Sequence, residues 1–210
     1  MVKIILFWLI TMNANAKNII LILGPSSSGK TSLIDYFIDK NPKYERFGID
    51  KALVGGKTSD FMHIQKENEK IIDIQITDFG LEKLKQHLDE ALRSNNSIIM
   101  ETIMIDDREL EVFKPIIKKA KIFFLHTDDN ILQERENRRN SGLVMGQKRP
   151  VGAAVVEAKK SREVYNKIKN IYNINYIDTT KKSTEEVYNQ VNKILLNVKY
   201  RSKSLPNFKI

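Results

Sequence analysis

The chain has 210 residues, of which 41% are hydrophobic and 29% are charged, as is typical of one globular domain. Its 35 Lys and Arg against 26 Asp and Glu give a net charge of +9, which suits a polyanionic partner but equally a solvated surface. The sequence has no Cys, three scattered His and no apolar run of about 20 residues, which argues against disulfides, thiolate or histidine metal cages, a cysteine nucleophile and a membrane span.

Residues 1–16 have two interpretations. Lys3 precedes an apolar stretch at 4–10, and Ala14-Asn15-Ala16 has the small-x-small form of a signal-peptidase site, so the segment resembles an export signal. Met12 offers an alternative translation start directly before the predicted domain. Residues 1–16 could therefore instead be a misassigned start or an extension that is not cleaved. In either case we exclude residues 1–16 from the predicted domain, which spans 17–198 and precedes a basic tail at 199–210.

From Asn18 onwards, short apolar runs alternate with longer amphipathic runs, as in strands and crossover helices of a parallel sheet. The predicted strands are Ile19–Leu23, Arg46–Gly48, Ser97–Glu101, Lys121–His126 and Ile174–Ile177. The predicted helices are Thr31–Asp39, Leu81–Ser94, Asp107–Lys119, Asp128–Arg139, Val151–Ile171 and Ser183–Val198. The alternating stretch Ile71–Ile76 is either an extra strand or a loop. The pattern predicts an α/β domain with a mostly parallel sheet of about five strands.

A glycine-rich loop follows the first predicted strand. Its residues are Gly24, Pro25, Ser26, Ser27, Ser28, Gly29, Lys30 and Thr31, which match G-x-x-x-x-G-K-[ST] completely. The glycines allow consecutive backbone N–H groups to form an anion nest at a helix N-terminus. Lys30 would reach the β- and γ-phosphates, and the Thr31 hydroxyl would join the shell of Mg²⁺. We therefore predict a three-layer P-loop NTPase fold of the nucleoside-kinase type, with ATP and Mg²⁺ as cofactors.

Other P-loop classes fit this sequence less well. A GTPase would need N-K-x-D and D-x-x-G stretches, which are absent, and a transporter subunit or helicase would need more length. Asp78-Phe79-Gly80 matches the metal-binding D-F-G motif of protein kinases. The glycine-rich G-x-G-x-x-G loop, the V-A-I-K strand and the H-R-D loop of those enzymes are absent, so we interpret the match as coincidence. The size favours a kinase of small molecules.

The phosphate loop and the stretch Arg46-Phe47-Gly48-Ile49-Asp50 resemble the chloramphenicol phosphotransferase-like proteins, P-loop kinases that transfer the γ-phosphate of ATP to a small-molecule hydroxyl. Weaker similarity continues at residues 134–139, which look like the lid helix of that family, and at 172–180, which look like its last strand. Two departures stand out. The family's Asp-Arg after the lid arginine is replaced by Asn140-Ser141-Gly142, and its Asp at the end of the third strand is replaced by Glu101.

The candidate catalytic and metal-binding residues lie at the ends of the predicted elements. Asp50 would activate the acceptor hydroxyl, although it could instead cap the next helix. Glu101 would hold Mg²⁺ with Thr31, with a surface ion pair or a cap as the alternative. In the lid, Arg139 in first place and Arg135 in second would stabilise the transferred phosphate, with Arg149 or Lys148 as substitutes for the missing charge.

The sequence therefore predicts an ATP-dependent phosphotransferase that acts on a hydroxyl of a small molecule. The alternative within the superfamily is a kinase of a nucleotide, a sugar acid or a polynucleotide end, which the charge of +9 mildly favours; a nucleic-acid partner is not our preferred interpretation. The alternative from another class is a non-catalytic or secreted ATP-binding protein. Because the domain needs ATP, we expect a cytoplasmic location, whereas a true signal at 1–16 would make the protein secreted.

Overall fold

The computed structural model describes residues 17–48, 58–143 and 150–203. Both interpretations of residues 1–16 therefore concern a segment outside the described residues. The elements in chain order are β1 Ile19–Leu23, α1 Lys30–Lys40, β2 Tyr44–Gly48, α2 Thr58–Phe61, β3 Met62–Glu67, β4 Lys70–Ile76, α3 Asp78–Arg93, β5 Ser97–Thr102, α4 Asp107–Ile117, β6 Lys121–His126, α5 Asp129–Ser141, α6 Ala153–Ile168, β7 Ile174–Asp178 and α7 Thr184–Lys203.

A five-stranded sheet with the order β2-β5-β1-β6-β7 forms the centre of the fold, and all of its neighbouring strands are parallel. Every residue of β1 is buried, because helices cover both faces of a parallel sheet. The strand order reverses around β1, and open α/β sheets bind ligands at the carboxyl ends of the strands at such a point. The prediction of a five-stranded parallel α/β fold is confirmed.

The side chains of β1 divide the core into two layers. Ile20 and Ile22 pack with residues of α1 and α7 on one face of the sheet. Ile19, Leu21 and Leu23 pack with residues of α3, α4 and α6 on the other face. This alternation follows from the two-residue period of a strand. Together with the sheet, the two helical layers give the predicted three-layer architecture.

A separate antiparallel hairpin, β3–β4, settles the open question about residues 71–76, which form a strand. Its turn residues Asn68 and Glu69 both have positive φ, 46° and 64°, as a tight two-residue hairpin turn requires. Ile71 and Ile74 pack against Ile105 and Ala153, the first residue of α6. The hairpin therefore covers part of the end of the main fold where α4 and α6 begin.

None of the helices in the described ranges is long and apolar enough to cross a lipid bilayer.

Candidate active site

The loop between β1 and α1 has the geometry of an anion nest. Gly24, Ser27 and Gly29 have positive φ values of 147°, 64° and 93°. A Cβ at Gly24 would lie 2.6 Å from the carbonyl oxygen of Leu125, so the loop can pack against β6 only with glycine there. A Cβ at Gly29 would meet nothing within 4 Å, because this side of the loop faces open space at the N-terminus of α1. The loop therefore leaves room for a phosphate group.

Lys30 is buried at the start of α1, and its ammonium donates to the carbonyl oxygens of Gly24 at 2.8 Å and Pro25 at 2.7 Å. The hydroxyl of Ser28 is also buried and has no hydrogen-bond partner among the described residues. A phosphate in the nest would accept from both groups. These donors fit the triphosphate of a nucleotide, as the sequence predicts.

Thr31 and Glu101 meet at the adjacent ends of α1 and β5. The Thr31 hydroxyl donates to the two Glu101 carboxylate oxygens at 3.1 and 3.3 Å. Glu101 is 6% exposed and pairs in register with Ile22 of the central strand. Within the described part of the chain no group of three or more acidic or histidine side chains could hold a metal ion. Mg²⁺ bound to phosphates needs only one or two protein oxygens, so this pair fits it.

Arg46 forms a bridge between Glu101 and α1. Its Nη2 donates to Glu101 Oε1 at 2.7 Å, and its Nη1 donates to Asp35 Oδ1 at 2.6 Å. The sequence motif that contains Arg46 gives no signal of this contact. The arginine neutralises and orients a carboxylate that would otherwise be buried without a cation.

Arg135, on α5, reaches the phosphate loop. It donates to the carbonyl oxygen of Ser27 at 3.3 Å and to that of Thr179 at 3.1 Å. Its pKa is lowered, chiefly because burial disfavours the charged form, while Glu134 opposes this effect. Arg139 lies one helical turn further along and lines the same cavity from an exposed position. The structure therefore brings both predicted arginines to one site, with Arg135 in contact with the loop.

Glu136 has a function that the sequence analysis did not anticipate. Its buried carboxylate accepts from the backbone N–H groups of Gly152 and Ala154, both at 2.9 Å. These N–H groups belong to the first turn of α6, so Glu136 caps that helix from α5. On the surface of α5, the neighbouring Arg138 forms an ion pair with Glu134. The two helices that flank residues 142–152 are thus joined by one carboxylate.

A cavity of about 1010 Å³ lies beside the phosphate loop. The phosphate loop, Glu101, Arg135 and Arg139 lie along it, and Ser183, Thr184 and Val187 at the start of α7 complete that part of the lining. The rest of the wall is largely apolar and comes from the hairpin, α2, α3 and the segment after β5; it includes Phe61, Met62, Ile64, Ile74, Ile76, Leu84, Ile103 and Ile105. The cavity has room for a nucleotide and a second small molecule.

Several predicted residues lie elsewhere. Asp50, Lys148 and Arg149 fall outside the described residues. Thr179 is buried beside the phosphate loop, where its hydroxyl donates to the Ser28 carbonyl at 3.1 Å. Asp106 caps α4, since its side chain accepts from the N–H of Glu109.

The parallel sheet, the phosphate loop and the Thr31–Glu101 pair define a P-loop kinase fold. The family described as chloramphenicol phosphotransferase-like protein matches residues 17–196, and this chain belongs to that family. A search of curated protein sequences gives no significant match.

Three solved structures with the same fold are named as kinases. A gluconokinase from Sinorhizobium meliloti 1021 is 16% identical, with a TM-score of 0.59 over 90% of this chain and 98% of its own. A shikimate kinase from Acinetobacter baumannii, solved with shikimate, is 14% identical, with a TM-score of 0.58 over 91% and 97% of the two chains. A sugar kinase from Janibacter sp. HTCC2649 is 13% identical, with a TM-score of 0.60 over 85% and 94%. At these identities the similarity establishes the fold.

Proposed function

We propose that this protein transfers the γ-phosphate of ATP to a hydroxyl group of a small molecule. The observation that carries the proposal is the shared cavity, in which the phosphate loop and Arg135 lie beside an apolar compartment that could hold a second substrate. Membership of the family and the kinase fold of the similar structures support the same reaction class.

The residues of the loop hold the nucleotide. The Lys30 ammonium exchanges the carbonyls of Gly24 and Pro25 for oxygens of the β- and γ-phosphates, and the loop amides bind the same groups. Thr31 and Glu101 would hold Mg²⁺, directly or through water, and the ion would supply positive charge to the phosphates of the nucleotide. Arg135 and Arg139 stabilise the negative charge that spreads over the transferred group.

The acceptor oxygen forms a bond to the γ-phosphorus as the bond to the bridging oxygen of ADP breaks, and the hydroxyl proton leaves to a base. We assign the base to Asp50, which lies outside the described residues. The assignment rests on the family motif and on the position of the preceding strand. Gly48, the last residue of β2, pairs in register with Glu101, and Asp50 follows two residues later in sequence. A carboxylate at this edge of the sheet is suited to orient the hydroxyl for in-line attack.

The test is a search for a phosphorylated product. The full chain is incubated with Mg-ATP and a panel of alcohols, sugars, nucleosides and chloramphenicol, and mass spectrometry detects any compound that gains one phosphate. We expect a product with the native protein, none with Asp50→Asn despite retained ATP binding, and loss of ATP binding in Lys30→Ala. Tight ATP binding without any product would contradict the proposal and favour the non-catalytic alternative.

A further inference from the structure

A buried carboxyl group lies in the wall of the apolar part of the cavity. Glu109, in the first turn of α4, is 5% exposed and lines the cavity near Ile74, Ile76 and Ile105. Its Oε2 accepts from the backbone N–H of Ile105 at 2.6 Å. We use the name inner pocket for the part of the cavity lining formed by Ile64, Ile74, Ile76, Thr102, Ile105 and Glu109.

Helix capping accounts for only part of this arrangement. Asp106 accepts from the Glu109 N–H at 2.9 Å, and Glu109 reaches back to Ile105, so the two acids form a variant of a capping box. The bonds from the N–H groups of Ile105 and Asp106 use two of about four acceptor positions of a carboxylate. No Lys, Arg or His within the described ranges forms an ion pair with Glu109, and its charged neighbours Asp106 and Glu157 are acidic. Burial is the main reason that the pKa of Glu109 is raised to about 7.

A second polar group that lines the cavity is the hydroxyl of Thr102. Thr102, the last residue of β5, is 2% exposed and lines the cavity. Its hydroxyl has no hydrogen-bond partner among the described residues. A buried hydroxyl that is unsatisfied at a cavity wall is expected to bond to a ligand, because leaving it unsatisfied costs free energy.

The described cations that line the cavity are Lys30, Arg135, Arg139 and Lys182, and none of them forms an ion pair with Glu109. Lys30 lies within the phosphate loop, and Arg135 contacts that loop through Ser27. Lys160 lies near the hairpin, but it is bound to Asp73 and to the carbonyl of Ile74. An acceptor with a carboxylate would therefore place two negative groups, its own and that of Glu109, in the inner pocket, and no cationic side chain of the described residues pairs with Glu109 there. A cationic group would meet a carboxyl partner there.

Resting on the function proposed above, we propose that the inner pocket binds an alcohol with an apolar body and a protonated amine, and that Glu109 accepts a hydrogen bond from this amine. Thr102 supplies a second polar contact to the acceptor. The acceptor thus differs in charge from the sugar acid and the shikimate after which two of the similar structures are named.

The experiment compares matched alcohols that differ in one group. The full chain and Mg-ATP are given 1-aryl alcohols with phenyl or naphthyl bodies, each as the aminomethyl compound, its N-acetyl derivative and the corresponding carboxylate. We expect the amines to have the highest kcat/KM for phosphate transfer. A neutral or carboxylate acceptor with the highest value would overturn this inference while the proposed function stands. Transfer to none of the compounds in either panel would overturn both.

Glu109→Gln separates recognition from capping, because the amide oxygen can still accept from the Ile105 N–H. Losing a hydrogen bond to a charged group should raise KM for the amine about 10- to 100-fold, while kcat and KM for ATP change little. The control is Glu111→Gln, an exposed acid on the same helix that pairs with Lys114. An unchanged KM for the amine in Glu109→Gln would assign the residue to capping alone.

Discussion

Glu109 should make the stability of this protein depend on pH. Burial raises its pKa from 4.5 to about 7, and the nearby Asp106 and Glu157 add to this effect, while N–H donors of Ile105 and Asp106 oppose it. The folded protein therefore binds the Glu109 proton more tightly than the unfolded chain does. The resulting stabilisation is fully present below pH 4.5 and is lost as the pH rises through about 7.

The size of this pH dependence follows from the shift in the pKa of Glu109. A change from 4.5 to about 7, at about 1.4 kcal/mol per unit, corresponds to roughly 3 kcal/mol of unfolding free energy. That is a large fraction of the about 5–15 kcal/mol typical of a folded domain. In Glu109→Gln this contribution should disappear, because the amide does not titrate.

Urea unfolding at pH 5 and pH 8 measures the difference. The native protein should lose about 2.5 kcal/mol more stability between these pH values than Glu109→Gln does, because a small part of the effect is already lost at pH 5, whereas Glu111→Gln should behave like the native protein. Titrating groups that do not interact with Glu109 contribute equally to all three proteins and cancel in the comparison. The same pH dependence in the native protein and in Glu109→Gln would show that Glu109 ionises in the folded state as it does in the unfolded chain.

Three further substitutions test the site and its support. Arg46→Ala should weaken Mg²⁺ binding about tenfold, because Glu101 loses the cation that orients it; calorimetric titration of the ATP-bound protein measures this, and an unchanged affinity would contradict it. Gly80→Ala should lower the free energy of unfolding in urea by about 1–3 kcal/mol, because its Cβ would lie 2.8 Å from the Phe61 carbonyl oxygen. As the control, Gly142→Ala should be nearly neutral, because the nearest described atom to its Cβ is the Arg139 carbonyl oxygen at 3.8 Å. Glu136→Gln should cost about 1–3 kcal/mol in the same assay, because its NH₂ group would face a backbone N–H; a neutral result would exclude Glu136 as the cap of α6.

The main sheet could be predicted because its signals are local. Each central strand is a short apolar run between helical stretches, and burial on both faces leaves no polar alternation to obscure it. The phosphate loop was equally clear, since its fixed positions are contiguous. The hairpin was harder to predict. Met62–Glu67 is mostly exposed, and its turn Asn68-Glu69 lacks the glycine that usually marks a two-residue turn.

Burial of individual charges could not be predicted from the sequence. The chain has 26 acidic residues, and nothing local distinguishes Glu109 or Glu136 from acids on solvated helix faces. Both positions are compatible with ordinary surface residues near a helix end. Only the packing of α4 and α6 against the hairpin encloses Glu109, and only the approach of α5 to α6 gives Glu136 its two N–H donors.

Glu101 shows how a departure from the family pattern can be compensated within the fold. In the parallel pairing of β2 with β5, Arg46 lies opposite Ile99, two residues before Glu101. Side chains two residues apart share a face of the sheet, so the arginine needs to extend by only one such step to reach the carboxylate. Its other nitrogen is held by Asp35 on α1. The longer acid at position 101 is thus fixed from β2 and α1 together, and this explains why a flexible glutamate can still present an oriented carboxylate to Thr31.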